Sequence, residues 1–340
     1  MLDIYKNYAK NIFNIHSPTG YTINCINYIK EEISNLGFKV EMTNKGNLKI
    51  FVEGKDHSQV RATSAHVDTL GLMVRSIDSN GRLKVTKLGG PLIPSLDGEY
   101  CYIKNRENKI FKGTILSTSP SVHVFNDAST KVRDIDNIEI RLDELVKNAD
   151  DVKKLGIENG DFVFIDPKFD ITESGFLKSR FIDDKGCVCM LLTILNLISK
   201  GEINPRFDTI FYFVVYEEVG HGASNLDSRI TEFVTMDMGC VGLDLSGDET
   251  KVSICAKDSN GPYDYELTDR LVKLAKDNNI DYCIDIFPFY GSDIGAAYHA
   301  GYDLKGALIG PGVSASHGME RTHLKGIDNT FKLMTSYLEN

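Results

Sequence analysis

The chain has 340 residues, 42% of them hydrophobic, and a formal net charge of -10. That apolar content excludes a disordered protein, and an acidic balance with no stripe of Lys and Arg excludes a nucleic-acid or anionic-membrane partner. No apolar run approaches bilayer length, and the start Met1-Leu2-Asp3-Ile4-Tyr5-Lys6 lacks the basic and apolar regions of a signal peptide, so a cytoplasmic location is expected. The seven cysteines, at 25, 101, 187, 189, 240, 255 and 283, form no C-x-x-C pair and read as reduced, buried thiols. Cys187 and Cys189 stand two apart on a predicted helix and do not share a face.

In chain order, the first strong pattern is Tyr21–Leu36, entered through Ser17-Pro18-Thr19-Gly20. Ile23, Ile26, Ile29 and Ile33 recur there every three or four residues and predict an amphipathic helix. Strands are predicted at Lys39–Asn44, Asn47–Glu53 and Gln59–Ser64, the last running into Ala65-His66-Val67-Asp68-Thr69. From about Leu72 to Asp166 the pattern becomes short β pieces (Leu72–Ile77, Leu83–Lys87, Tyr100–Ile103, Ile110–Ser117, Asn137–Leu142, Asp161–Ile165) between turns such as Ser79-Asn80-Gly81. Only Asp143–Lys154 reads as helical within it. This predicts a β-rich domain over 72–166 inserted into a discontinuous α/β domain over 1–71 and 167–340. After Phe169 the spacing predicts helices at Asp183–Ser199, Tyr265–Asp277, Ser292–Ala300 and Ile327–Leu338. Strands alternate with them at Thr209–Tyr216, Glu232–Met238, Lys251–Ala256, Asp281–Pro288 and Leu304–Ile309, the pattern of a sheet covered by helices on both sides.

Chemistry concentrates at strand ends. Phe211-Tyr212-Phe213-Val214-Val215-Tyr216 reads as a strand buried on both faces, and it ends in Glu217-Glu218 before the glycine-rich Val219-Gly220-His221-Gly222. Two readings are open: a solvated strand end, or one acid holding a metal while its unligated neighbour handles protons for a metal-bound water. His66 and Asp68, two apart on a strand, point the same way and suit a metal ligand with its orienting carboxylate. Asp183-Asp184 opens a helix and reads either as a cap or, after the apolar Phe181-Ile182, as acids turned into an enclosed site. Asp237 closes Phe233-Val234-Thr235-Met236, and His317 lies in the loop Gly310–Gly318. Together His66, Asp183, Glu218, Asp237 and His317 make a ligand set for two divalent ions of the zinc, cobalt or manganese kind, with Glu217 left as a base. His16, His57, His123 and His299 have no partner pattern. Gly291-Ser292-Asp293 caps a helix and also suits a place beside a substrate.

The order His-x-Asp, β insertion, Asp-Asp-basic-Gly, Glu-Glu-Val-Gly-x-Gly-Ala, Asp before Gly, Gly-Ser-Asp and a late Ser-His resembles metallopeptidase family 42, the TET-type glutamyl and deblocking aminopeptidases, some labelled "cellulase". The resemblance covers essentially the whole chain. It implies a phosphorylase/hydrolase-like mixed sheet flanked by helices, with the inserted domain as a barrel-like unit used for oligomerisation. It also implies His66 and Asp237 on one metal, Glu218 and His317 on the other, Asp183 bridging, Asp68 orienting His66, and Glu217 as general base for a metal-bridging water. The substrate so implied is a short peptide losing its amino-terminal residue, and the implied assembly is a homo-oligomer, up to a tetrahedral dodecamer. Lys185 stands where the family usually has Arg. In the segment His317-Gly318-Met319-Glu320-Arg321 the acid follows the histidine at shorter spacing than usual, which resembles a divergent branch.

Other functions fit the residues less well. Glycoside hydrolysis needs two carboxylates flanking one bond, whereas neighbours on a strand point apart, and it leaves the histidines without work. Gly312-Val313-Ser314-Ala315-Ser316 lacks the last glycine of a serine nucleophile elbow. A metal-dependent hydrolase of one small amide or dipeptide, and a non-catalytic assembly protein of the same fold, are the remaining alternatives.

Overall fold

Alternate side chains of the strand Phe207–Val214 leave the backbone on opposite sides, and both sides are apolar. Phe211 and Phe213 enter one core, and Ile210, Tyr212 and Val214 enter another. Each fully buried phenylalanine is stabilised by roughly 1.5–3 kcal/mol relative to exposure. The computed structural model, which describes residues 1–340, sets this strand between Leu48–Val52, antiparallel, and Asp56–His66, parallel. Ile230–Met236 and Lys305–Val313 continue the sheet in parallel. The result is a mixed sheet of ten strands in which Phe207–Val214, Asp56–His66, Ile230–Met236 and Lys305–Val313 run parallel and end on one edge. The first core is covered by helices Leu2–Ile12, Ile23–Asn35, Ile182–Ser199, Tyr265–Asp277 and Leu324–Glu339, and the second by Asp293–His299. The chain divides into two compact units, Met1–Asp68 with Lys168–Asn340, which holds this sheet, and Thr69–Pro167.

Several elements differ from expectation for identifiable reasons. The helix Leu2–Ile12 lies outside the predicted elements, yet its buried Tyr5, Tyr8, Ala9 and Ile12 have helical spacing. Lys185 is fully buried, and its ammonium donates to the carbonyls of Ile12 (3.1 Å) and Ile15. It therefore ties the segment after the first helix to the helix that carries Asp183. The helix expected over Asp143–Lys154 is confined to Ala149–Lys154, because Asn148 caps it there by accepting from Asp151 N–H at 3.0 Å. Upstream, Leu145 is exposed and offers no face to bury. The last parallel strand runs to Val313 rather than Ile309, since Gly239–Cys240 on one side and Val252–Cys255 on the other keep pairing with it.

Within Thr69–Pro167, six strands close a barrel in the order Gly71–Ile77, Leu83–Leu88, Ile138–Leu142, Ile110–Ser117, Tyr100–Lys104 and Phe162–Ile165. Leu72, Val74, Leu83, Val85, Ile103, Ile115, Ile140 and Val163 are buried, and closure leaves no unpaired sheet edge.

One buried ionic cluster joins strands of the sheet to its helices. Glu232 pairs with Arg61 at 3.2 Å and with Arg270, and it accepts from the Tyr337 hydroxyl at 3.1 Å, while Arg61 donates to Tyr337 O at 2.9 Å. Burial opposes ionisation of Glu232, but the Arg270 hydrogen bond and the charges of Arg270 and Arg61 outweigh it and lower its pKa. Replacing Glu232 with Gln leaves two arginines short of a counter-charge and should cost about 3 kcal/mol at pH 7. A depressed carboxyl contributes fully above its unfolded value of about 4.3 and loses that contribution as pH falls through its folded value. Thermal melts of wild type and Glu232→Gln should therefore differ at pH 7 and draw together as the pH falls through the depressed folded value; a gap that widened in acid would refute the assignment.

Candidate metal centre

The parallel strands deliver their residues to one edge. His66 is the last residue of Asp56–His66 and is in register with Val214, Asp237 follows Met236, and His317 lies in the turn that joins Lys305–Val313 to Glu320–His323. Glu217 and Glu218 stand in a single 3₁₀ turn, reached after Tyr216 takes a left-handed conformation (φ 68°), so the strand stops at Val214. Asp183 and Asp184 have non-helical backbone angles at the mouth of Ile182–Ser199, and the peptide between them is cis. Asp183 Oδ1 lies 2.9 Å from His66 Nε2, and its Oδ2 lies 3.5 Å from His317 Nε2. That carboxylate is thus turned to two imidazoles, one per oxygen. Glu218 Oε2 is 3.9 Å from His317 Nε2, and Glu217 Oε2 is 3.7 Å from His66 Nε2.

Few positive charges meet many negative ones. Burial raises the carboxyl of Glu218 to about 8 and that of Asp237 to about 7, with the Asp183 charge pushing both the same way. Burial also carries Glu217, Asp184 and Glu320 well above the ordinary range. Asp183 alone goes down: burial opposes its ionisation, but hydrogen bonds to His317 and His66 prevail. For His66 burial favours the neutral ring, yet the Asp183 hydrogen bond and the charges of Glu217 and Asp237 raise its pKa.

Such crowding suits divalent cations, which replace protons among carboxylates. Glu218 Oε1 is buried with no hydrogen-bond partner, the condition of a ligand atom awaiting a cation. Ligand atoms of His66, Asp183 and Glu218 lie within 4.8 Å of one another, and so do those of His66, Asp184 and Asp237. The donor set of imidazole and carboxylate fits zinc, cobalt or manganese.

Three carboxylates hold the cluster from behind. Residue 68 meets the His66 ring chiefly through its main chain: Nδ1 of His66 is 2.8 Å from the Asp68 carbonyl oxygen and 3.8 Å from its Oδ1. The carboxylate instead accepts from Glu217 N–H (3.1 Å), Glu218 N–H (3.3 Å) and the Thr19 hydroxyl (2.7 Å), because the left-handed step at Tyr216 turns those amides back toward it. Asp293 accepts from Ala223 N–H at 3.0 Å and so fixes the far end of the same turn. Gly222 is required there, since a Cβ would lie 2.6 Å from Asp293 Oδ1 and 2.4 Å from Val214 Cγ1. Glu320, unassigned from sequence, accepts from Asp183 N–H at 3.0 Å with one oxygen and His317 N–H at 2.9 Å with the other. Its only sequence signal was an acid three residues after a loop histidine.

A cavity of about 380 Å³ opens on the cluster, lined by Asp183, Glu217, Glu218, Asp237 and His317 on one side. Phe289, Tyr290 and His299 line it as well, Tyr290 lying against Asp237; sequence reasoning named only His299 of the three, without a partner. Cys187 and Cys189 are buried free thiols away from that lining, and His221 stacks on Tyr216 at 5.0 Å.

The sequence profile of the M42 glutamyl aminopeptidase family matches residues 46–333. The chain belongs to that family. It is accordingly an aminopeptidase, a hydrolase of peptide bonds. YhfE of Bacillus subtilis (strain 168), by name a presumed aminopeptidase, is 44% identical over 332 residues, which cover 97% of this chain and 96% of YhfE. A TET aminopeptidase from the marine sediment archaeon Thaumarchaeota archaeon SCGC AB-539-E09 shares the fold with TM-score 0.89 at 17% identity, over 100% of this chain and 97% of that one. The Pyrococcus horikoshii TET1 peptidase does so with TM-score 0.86 at 22% identity, over 99% of each.

In this M42 aminopeptidase Glu320 touches the backbone of two cluster residues without entering the cavity lining. Glu320→Gln retains one acceptor oxygen and loses the other, so either Asp183 or His317 is released. Metal affinity should fall about 10- to 100-fold, read by calorimetric titration of cobalt or zinc, while the far-UV circular dichroism stays unchanged. Wild-type affinity in Glu320→Gln would show that the two amides need no common acceptor.

Proposed function

We propose that the protein is a dinuclear metal-dependent aminopeptidase that removes the amino-terminal residue of short peptides. The observation that carries this reading is the Asp183 carboxylate, whose two oxygens face the two imidazoles, with an unpartnered Glu218 oxygen beside them. In this reading His66 and Asp237 hold one ion, Glu218 and His317 the other, and Asp183 bridges. When bound, the two ions supply Lewis acidity to the peptide carbonyl and acidify a water beside it. Glu217, left unligated, takes the proton of the attacking water at a carboxylate oxygen. It then delivers that proton to the leaving nitrogen as the C–N bond breaks. Burial, which raises its proton affinity, suits it to hold that proton between the two events. Carboxylates at the same end of the cavity attract the free ammonium of the substrate. Asp68 keeps the pair in place through the two amides it accepts from.

Self-association and a cytoplasmic setting complete the proposal. The barrel unit exposes Val122, Val124, Val132 and Leu145, apolar side chains suited to contact between copies. The Pyrococcus horikoshii TET1 peptidase is described as assembling into a tetrahedron or a large octahedral shell. A tetrahedral dodecamer of this chain is the assembly we propose. All seven cysteines are free, in keeping with a reducing compartment, and no helix is long and apolar enough to cross a membrane.

Two experiments address these assignments. Glu217→Gln should keep its metal and lower kcat by about 10²- to 10⁴-fold, Glu218→Gln should lose one ion, and Asp183→Asn should lose both ions and all activity. Elemental analysis with kinetics decides, and two normal binding events in Asp183→Asn would move the bridge to Asp184. For the assembly, Val122→Glu with Val124→Glu should give smaller particles in light scattering with the fold intact. Particles of unchanged size would remove the barrel surface from the contact.

A further inference from the structure

The part of the cavity away from the proposed metal ligands carries no fixed positive charge, its one basic side chain being His299. Its members are Asn260, Phe289, Tyr290, Ser292, Ala296 and His299, and no lysine or arginine lines any part of the cavity. Behind Asn260 the buried group is acidic: Asp258 accepts from the Tyr263 hydroxyl at 2.8 Å and from Asn260 N–H at 2.7 Å. An acidic substrate side chain placed there would leave water, meet no lysine or arginine and only the imidazole of His299, and face the carboxylate of Asp258 as well as those of the metal cluster.

The same part is built for apolar contact. Phe289 lines the cavity and is 97% exposed as a residue, available to be covered by a substrate side chain. Tyr290 is immobilised by its hydroxyl, which donates to Met238 O at 3.1 Å, and by packing on Phe287 with ring centroids 5.2 Å apart. The floor is kept low by Gly295, where a Cβ would come within 2.5 Å of the Asn260 amide nitrogen. A basic substrate side chain gains little there, because Asp258 is buried and already satisfied by its own donors.

We infer that this cavity selects substrates whose amino-terminal residue has an uncharged apolar or aromatic side chain and discriminates against an acidic one, in contrast to the glutamyl preference in the family's name. The inference rests on the aminopeptidase reading of the site. It adds that Phe289 and Asn260 set the preference: Phe289 by covering the side chain, Asn260 by occupying the place where a cation would stand.

The test is the intact protein loaded in turn with cobalt, zinc and manganese, assayed on the p-nitroanilides of leucine, phenylalanine, glutamate and lysine. Leucine and phenylalanine should exceed glutamate and lysine in kcat/KM by at least about tenfold. Glutamate or lysine equal to or above leucine would overturn the inference and leave the aminopeptidase reading standing. No cleavage of any of the four with any metal would overturn that reading, and the inference with it. Phe289→Ala, an exposed change that does not threaten folding, should raise KM for phenylalanine anilide with kcat nearly constant; an unchanged KM counts against Phe289. Asn260→Arg should raise the glutamate-to-leucine ratio about tenfold or more, and an unaltered ratio in a folded, metal-binding variant would mean that the missing cation is not what excludes the acid.

Discussion

Asp183 is the group around which the charges of the site are arranged. It is buried, yet stays ionised because an imidazole faces each of its oxygens, and its charge helps keep Asp237 and Glu218 protonated at pH values where free carboxylic acids are not. A cluster of this kind is stable in two ways only: with protons shared among the acids, or with multivalent cations in their place. The first is costly near neutral pH and the second is chemistry. That exchange connects the folding of the edge to the proposed reaction, since the same carboxylates that oppose one another without cations attract them.

Holding such a cluster requires backbone donors, because side-chain cations would compete with the metals. The fold supplies amides. Asp68, Asp293 and Glu320 each accept from main-chain N–H groups of the turns that carry Glu217, Glu218, Asp183 and His317. Amides set geometry while adding no net charge, so each turn is fixed without a lysine or arginine in the cavity. Lys185, the basic residue nearest in sequence, is drawn the other way and donates to two carbonyls at and just after the end of the first helix.

The two sides of the cavity follow different rules as a consequence. On the metal side, polarity is concentrated and every position is over-determined by strand register and hydrogen bonds. The opposite side comes from the connection into Asp293–His299 and from Asn260, segments outside the parallel strands, and its aromatic and small residues answer only to shape. Variation there changes what enters without disturbing what reacts.

Much of this architecture can be read in one dimension, because strands and helices announce themselves through local periodicity. Ile110–Ser117 and Tyr265–Asp277 have in the structure the limits that alternation and helical spacing assign them, and an apolar run that stops at a polar residue marks where a sheet edge lies. His66, the Glu217-Glu218 pair and Asp237 stand out for that reason. Which oxygen faces which nitrogen is different in kind. Glu320 meets Asp183 N–H across 137 residues and Asp68 meets Glu217 N–H across 149, and no local pattern encodes either contact. Asp68 reads as the partner of His66 because they are two apart on a strand. The left-handed step at Tyr216, a single backbone angle, turns the glutamate amides to its carboxylate as well. Residue types and strand ends are thus properties of the sequence, whereas the pairing of donors and acceptors belongs to the tertiary structure, because hydrogen bonds are decided over a few ångströms that only folding brings together.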